Sequence, residues 1–449
     1  MESDKSITSH KSLRASSTAL IVLAMSALSS IAAAQTSETV IHQFTGPDGA
    51  EPNGQLLADS SGNIFGTTQN GGTSTACDGG CGVVFEISPK SGGGWLYRII
   101  HDFQNQPDGA IPRTSLSMDA AGNVYGTTVY GGTGAFDCAG GCGTVFMLSP
   151  TSTGYWSEKV LYRFQSLGDG REPIDGVTID AAGNLYGVTQ FSDNNTQYIG
   201  EVYELSPSGG KWKFTTLHNF LPGGTDGDYP LAGVVLDSAG NLYGNTQFGG
   251  NAQGCYQQGC GVIYELSPGS SGQWTENILY VFQNLAGDGG SIPSGRIALD
   301  ASGNIYGTTE YGGYISSNCP APGCGTLFKL VNEGGTWGRI TLHFFGDDAA
   351  DGKNPLGPVT LDSAGNIYGT TQYGGESLAQ TLSHGNVFKV STNGTSDTYM
   401  PLHSFNTIAG GEIPWAGVTL DSQGNLWGTT IFGGQNQGDG YGVVFELKP

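Results

Sequence analysis

Eight cysteines stand in four close pairs, Cys77/Cys81, Cys138/Cys142, Cys255/Cys260 and Cys319/Cys324. Thiols this close in sequence can form disulfides, hold a metal or run thiol exchange. Each pair ends immediately before the glycine that opens an apolar β-type run, so the four are copies of one loop. A tetrahedral metal site needs four converging ligands, whereas these pairs belong to separate copies and have no histidine beside them. Neither spacing is the Cys-x-x-Cys of thiol oxidoreductases. An even count behind an export-type leader fits one disulfide within each loop, each adding about 2 kcal/mol through the unfolded chain's lost entropy.

Carboxylates and imidazoles show the same copying. Asp59, Asp119, Asp180, Asp237, Asp300, Asp362 and Asp421 each open an Asp-x-x-Gly-Asn turn. A carboxylate there accepts backbone N–H groups of its own turn. A second motif, Asp-Gly followed by Pro, starts at Asp48, Asp108, Asp169, Asp226, Asp288 and Asp351, with Gly410-Gly-Glu-Ile-Pro414 in the seventh copy. Turn chemistry explains it. Its hard oxygens would also suit calcium, though no specific calcium motif is present, and neither a cofactor nor a metal ligand is assigned. His42, His101, His218, His343 and His403 share one position two residues before a Phe, and Tyr162 and Tyr280 fill it elsewhere. Exchange of His with Tyr points to a packed ring with one hydrogen bond rather than a general base. His384 stands outside the pattern in a loop. The off-pattern carboxylates Asp193, Glu310, Glu376, Glu412 and Asp439 are scattered over five units or loops and form no visible acid/base pair, so no catalytic residue is assigned.

The elements that carry these residues come from a repeat. The seven turn aspartates are spaced by 60, 61, 57, 63, 62 and 59 residues, a period that marks a tandem architecture. In the unit 295–345, Arg296–Asp300, Ile305–Tyr311, Thr326–Leu330 and Trp337–Phe345 read as four antiparallel strands, a to d, joined by Gly-rich turns. No 3.6-residue period appears. Four short strands per unit make one propeller blade. Glu38–Phe44 is a strand d that precedes any strand a, while the last unit stops after its strand c, Val443–Leu447. Pairing these two removes an open sheet edge. The expected fold is all-β: a seven-bladed β-propeller of four-stranded antiparallel blades, closed by the N-terminal strand within the last blade.

Gly-Asn-Ile-Tyr-Gly-Thr-Thr at 365–371, Gly374-Gly375 and Gly385-Asn-Val-Phe-Lys-Val390 resemble the GloVer (Gloeo/Verruco) family of exported tandem-repeat proteins. The resemblance covers 38–449 and recurs in register seven times; the third unit departs most, with Phe191-Ser-Asp-Asn-Asn195 in place of the paired glycines. It implies an extracellular or envelope protein and supplies no catalytic residues. The family includes members with a C-terminal sorting anchor, which this sequence does not show.

Lys5, Lys11 and Arg14 precede an uncharged apolar run, Ala19–Ala34, ending in small residues. That is the layout of a signal peptide over 1–34, cleaved after Ala34. The alternative, an uncleaved anchor, is disfavoured by the run's Ser/Ala content and its shortness against the roughly 20 apolar residues of a membrane span. The remaining 35–449 form one propeller domain with no further span. Asp and Glu number 39 against 17 Lys and Arg, an acidity that argues against nucleic acid. Variable b–c and d–a loops gather on one face, with Tyr130, Phe248, Tyr311, Tyr373 and Phe432 ending strand b and Tyr256, Tyr314 and Trp415 in loops. Rigid aromatics beside carboxylates and amides suit sugar faces or peptide side chains, the strand-b set also being explicable as packing between blades. The expectation is a monomeric, secreted or periplasmic, non-enzymatic binding or scaffold module for a glycan or an extracellular protein. Competing readings are a carbohydrate-active hydrolase or lyase on the same scaffold, which needs two converging carboxylates, and a purely structural surface layer.

Overall fold

The computed structural model describes residues 36–448 except 134–137, 139, 193–199, 222–224, 251–254, 256–257, 271, 284–288, 349, 376–383, 393–396 and 435–439. The leader, Tyr256, Asp193, Asp288, Glu376 and Asp439 therefore lie outside the described residues. Seven four-stranded antiparallel sheets form the blades. In the first, strand a is Leu57–Ala58, b is Ile64–Thr68, c is Val83–Pro89 and d is Trp95–Asp102. Strand b is buried at every residue in six of the blades, as its β-branched and aromatic content favours. Its central glycine has a specific cause: a Cβ on Gly369 would meet the Phe388 ring of strand c at 2.6 Å. Strand a pairs over only two residues, shorter than the five-residue run in the sequence; the segment before it runs close to a neighbouring blade's backbone, so that a Cβ on Gly54 would meet the Thr114 carbonyl oxygen at 1.9 Å.

The last blade is completed by the first strand. Ser37–Gln43 pairs antiparallel with Val443–Lys448, from Ser37 opposite Lys448 to Gln43 opposite Val443. A one-residue irregularity falls between Val40 and His42. Every other c–d pair carries it at the same place, just before the His/Tyr position. The N-terminal segment is thus a strand d in detail, bulge included.

The core is seven separate clusters, one between each pair of successive blades. Phe44, Phe85, Ile87, Trp427 and Val444 join blade 7 to blade 1 and so shut the ring. The other six repeat the pattern. Above four of them the strand-d His or Tyr makes a short hydrogen bond with the next turn's Asp: His42–Asp48 at 3.1 Å, His101–Asp108 at 3.1 Å, Tyr162–Asp169 at 2.9 Å and His343–Asp351 at 3.0 Å. The residue four before the next blade's His/Tyr position covers it. Tyr97 stacks on His42 at 3.8 Å and Tyr399 on His343 at 3.9 Å, while Glu38 of the closing strand lies 3.3 Å from His403. These histidines are structural. So are the opening aspartates: Asp59 accepts the N–H groups of Ser61 and Asn63, both at 2.8 Å, and the Asn63 amide.

All four disulfides form within their loops, with Cα–Cα distances of 5.1–5.6 Å. They do more than fasten loops. Cys81, Cys142, Cys260 and Cys324 are buried within the inter-blade clusters beside the strand-d Phe. Replacing Cys255 and Cys260 by Ala should therefore remove both a cross-link and buried apolar volume. The expected loss is about 2–4 kcal/mol, read as a lower midpoint in urea, whereas a loop-only role predicts about 2 kcal/mol or less.

Each blade also leans on its predecessor through one backbone kink. Glu51, Ile111, Glu172, Tyr229, Ile292, Asn354 and Ile413, the residues before the seven entry prolines, all have φ between 55° and 61°. A β-branched side chain is costly there. The Ile111, Glu172, Ile292 and Asn354 N–H groups donate to the carbonyls of Cys81, Cys142, Cys260 and Cys324 of the preceding blade, at 2.8–3.0 Å. The glycine after that cysteine is required because the entry proline packs on it: a Cβ on Gly82 would lie 2.5 Å from Pro112 Cδ.

Candidate functional site

The segments just after the entry prolines converge at the mouth of the central channel. Together with the last axis-facing residue of strand b, they line a cup of about 470 Å³. Its wall carries Asn53, Gln190, Gln247, Gln372, Arg113, Glu310 and Trp415. The face is the one that bears the b–c and d–a loops, because strand-b ends pair there with d–a segments, as in Ala50 with Asn70 and Glu412 with Phe432.

The floor is built from two side chains that reach past neighbouring blades, which is feasible only through the channel. Asp175 Oδ1 accepts the N–H groups of Ser115 at 3.1 Å and Gly176 at 2.7 Å. Asp175 Oδ2 accepts from Gly233 at 2.9 Å and from Arg296 Nε at 3.1 Å. One carboxylate thereby ties blades 2, 3, 4 and 5. Burial pushes the Asp175 carboxyl up, but Arg296 and these N–H groups more than offset that and hold it below the usual range. From the other side, Gln55 Nε2 donates to Thr360 Oγ1 at 3.1 Å and to the Val418 carbonyl at 2.9 Å, joining blades 1, 6 and 7.

The wall differs in its state of satisfaction. On the blade 1 side, Asn53 donates to Gln69 Oε1 at 3.3 Å and Gln69 to Glu51 at 3.1 Å, so these amides are engaged. The side-chain amides of Gln190, Gln247 and Gln372 make no hydrogen bond among the described residues. Glu310 is half-buried, and burial raises its carboxyl above the ordinary range while a hydrogen bond from Tyr311 pulls the other way. Among the described residues the cup thus offers three free amides, a carboxylate and the Trp415 ring, which is 37% exposed, while the Arg113 guanidinium donates through Nε to Gln69. Carboxylates lining it are Asp175 and Glu310, and the first is committed to Arg296.

Of the aromatic residues expected to bind, Trp415 lines the cup. Tyr311 reaches it only through Glu310. Tyr130 and Tyr373 are exposed on the rim, at 39% and 43%. Tyr314 packs on Phe344 at 4.7 Å and Phe248 on Tyr229 at 5.7 Å. Phe432 is partly buried and paired to Glu412. The glutamine ring escaped the sequence reading. Strand alternation could have found it, because each glutamine directly precedes a strand-b aromatic and must face the other way.

Solved structures of other proteins are similar to this chain. A fungal alcohol oxidase in complex with copper is 13% identical and matches 92% of this chain and 76% of its own, with TM-score 0.53. A protein from Lactobacillus plantarum (14% identity, 79% and 85% covered, TM-score 0.46) and one of unknown function from Dyadobacter fermentans (10%, 92% and 99%, TM-score 0.42) are more distant. At 13% identity the likeness to the alcohol oxidase shows the fold alone. No curated protein matches the chain. The Gloeobacter/Verrucomicrobia repeat matches residues 24–255, 82–319 and 252–449, and the chain belongs to that repeat family.

Proposed function

We propose that the protein is an exported, non-enzymatic binding module that takes the polar end of a glycan chain into the channel-mouth cup. The observation that carries this reading is the set of three unpaired glutamine amides facing one cavity with Trp415 on its wall. Amides match the paired donor and acceptor of sugar hydroxyls, and an indole ring covers the apolar face of a pyranose. The volume, about 470 Å³, falls within the range of small-ligand pockets. A hydrolase would need a second free carboxylate near Glu310, with the separation of about 5–10 Å that glycosidases use, and Asp175 is already neutralised. Four disulfides suit an oxidising extracellular or periplasmic compartment; among the described residues no helix is long and apolar enough to cross a membrane. Export in turn agrees with the leader read at 1–34.

A glycan array followed by calorimetry tests the reading. Trp415→Ala is expected to weaken the best glycan at least about 10-fold, the order of one aromatic anchor, and Gln247→Ala several-fold. Retained affinity in both variants, or capture of proteins but no glycan, sinks it.

A further inference from the structure

We infer that the interface between blades 3 and 4 is a zinc site formed by His218, Asp226 and Glu276. The three come from separate segments: strand d of blade 3, Lys211–Asn219; the turn that follows it; and strand d of blade 4, Trp274–Val281. Their ligand atoms lie within 4.8 Å of one another, and among the described residues this is the one group of three imidazole or carboxylate side chains so close together.

The pattern of the ring explains how the site arises. Around the ring the covering residue varies: it is Tyr97 over His42, Tyr399 over His343 and Glu158 beside His101 and Asp108, and none of these brings three ligand atoms within the same reach. His403 meets Glu38 but has Gly410-Gly411 where the turn aspartate would be. At blades 3 and 4 the covering residue is Glu276, and it approaches the His218–Asp226 pair closely enough to complete a triad.

Geometry separates coordination from hydrogen bonding. His42, His101 and His343 make ordinary bonds of 3.0–3.1 Å to their aspartates. His218 Nε2 instead faces three oxygens at longer range: Asp226 Oδ1 at 3.4 Å, Asp226 Oδ2 at 3.3 Å and Glu276 Oε1 at 3.5 Å. One N–H cannot serve three acceptors, and all three distances exceed the usual 2.7–3.2 Å window. They do match the edge of a tetrahedron around zinc: ligands about 2.0–2.1 Å from the metal stand about 3.3 Å apart. Glu276 Oε1 is shut off from water. The fully buried Tyr264 hydroxyl, without a hydrogen-bond partner, feels the Glu276 and Asp226 charges. Two carboxylates and one imidazole are a nitrogen/oxygen set that zinc accepts, whereas calcium prefers oxygen alone. The side chains remain 13–19% exposed, which leaves an entry path for an ion.

The chain expressed with its own leader, stripped with EDTA and dialysed against zinc chloride, should retain one zinc per molecule by metal analysis. Cobalt in its place should give the strong visible bands of a tetrahedral site. His218→Gln and Glu276→Gln should each weaken zinc by more than the roughly 10–100-fold that outer-shell changes cost. His343→Gln, which alters a His–Asp pair without a third ligand, should leave it unchanged. Circular dichroism identifies a variant that fails to fold, and Asp226→Asn then takes its place. Zinc held equally by folded variants, no zinc held by the parent, or a cobalt spectrum without tetrahedral bands overturns the assignment.

Discussion

Deletion of residues 36–43 is expected to abolish the cooperative unfolding of the whole ring. These residues supply the entire outer strand of blade 7, paired along Val443–Lys448, and Glu38 also covers His403 of blade 6. Without them the backbone edge of strand c opens, a template for association with another chain. Phe44, fully buried between blades 7 and 1, gives the graded version. Phe44→Ala should cost about 3–5 kcal/mol, measured by urea denaturation. A deletion variant that melts as sharply as the parent would show that the ring does not depend on its clasp.

Asp175→Ala should be nearly as damaging from the opposite end of the structure. It removes the acceptor of three N–H groups and leaves the Arg296 guanidinium, 20% exposed, without its counter-charge. Breaking such a pair from one side costs about 3–5 kcal/mol. Arg296→Met should cost less, because the carboxylate keeps its three backbone donors. The double variant should recover part of the loss, and a coupling energy near zero in that cycle would refute the staple across blades 2–5. Because Asp175 is held below the ordinary carboxylate range, its contribution is complete above about pH 4 and is lost as the pH falls through its folded value.

The architecture was legible because repetition multiplies weak signals. One Asp-x-x-Gly-Asn turn says little, but seven in register define the blades, and an unmatched Glu38–Phe44 against a truncated last unit discloses the clasp. The cysteine pairs were readable for the same reason, though their burial between blades was not. The cup was illegible because its residues differ from copy to copy: Asn53, Arg113, Ile174, Leu231, Ser294, Leu356 and Trp415 occupy one structural position. Aromatic residues drew attention instead, and most of them face the rim or a neighbouring loop. The contact between His218 and Glu276 joins residues 58 apart on different blades, and only the ring brings them together.

The left-handed kinks before the entry prolines bear on how the repeats came to exist as a set. An excised unit would carry a strained residue whose N–H has lost the carbonyl that compensates it, and a Gly-Pro contact with one half missing. A lone repeat is therefore not a miniature of the whole. Each copy is stable only as somebody's neighbour, so lengthening or shortening such a chain by one period preserves every local bond, while isolating one period preserves almost none across its flanks.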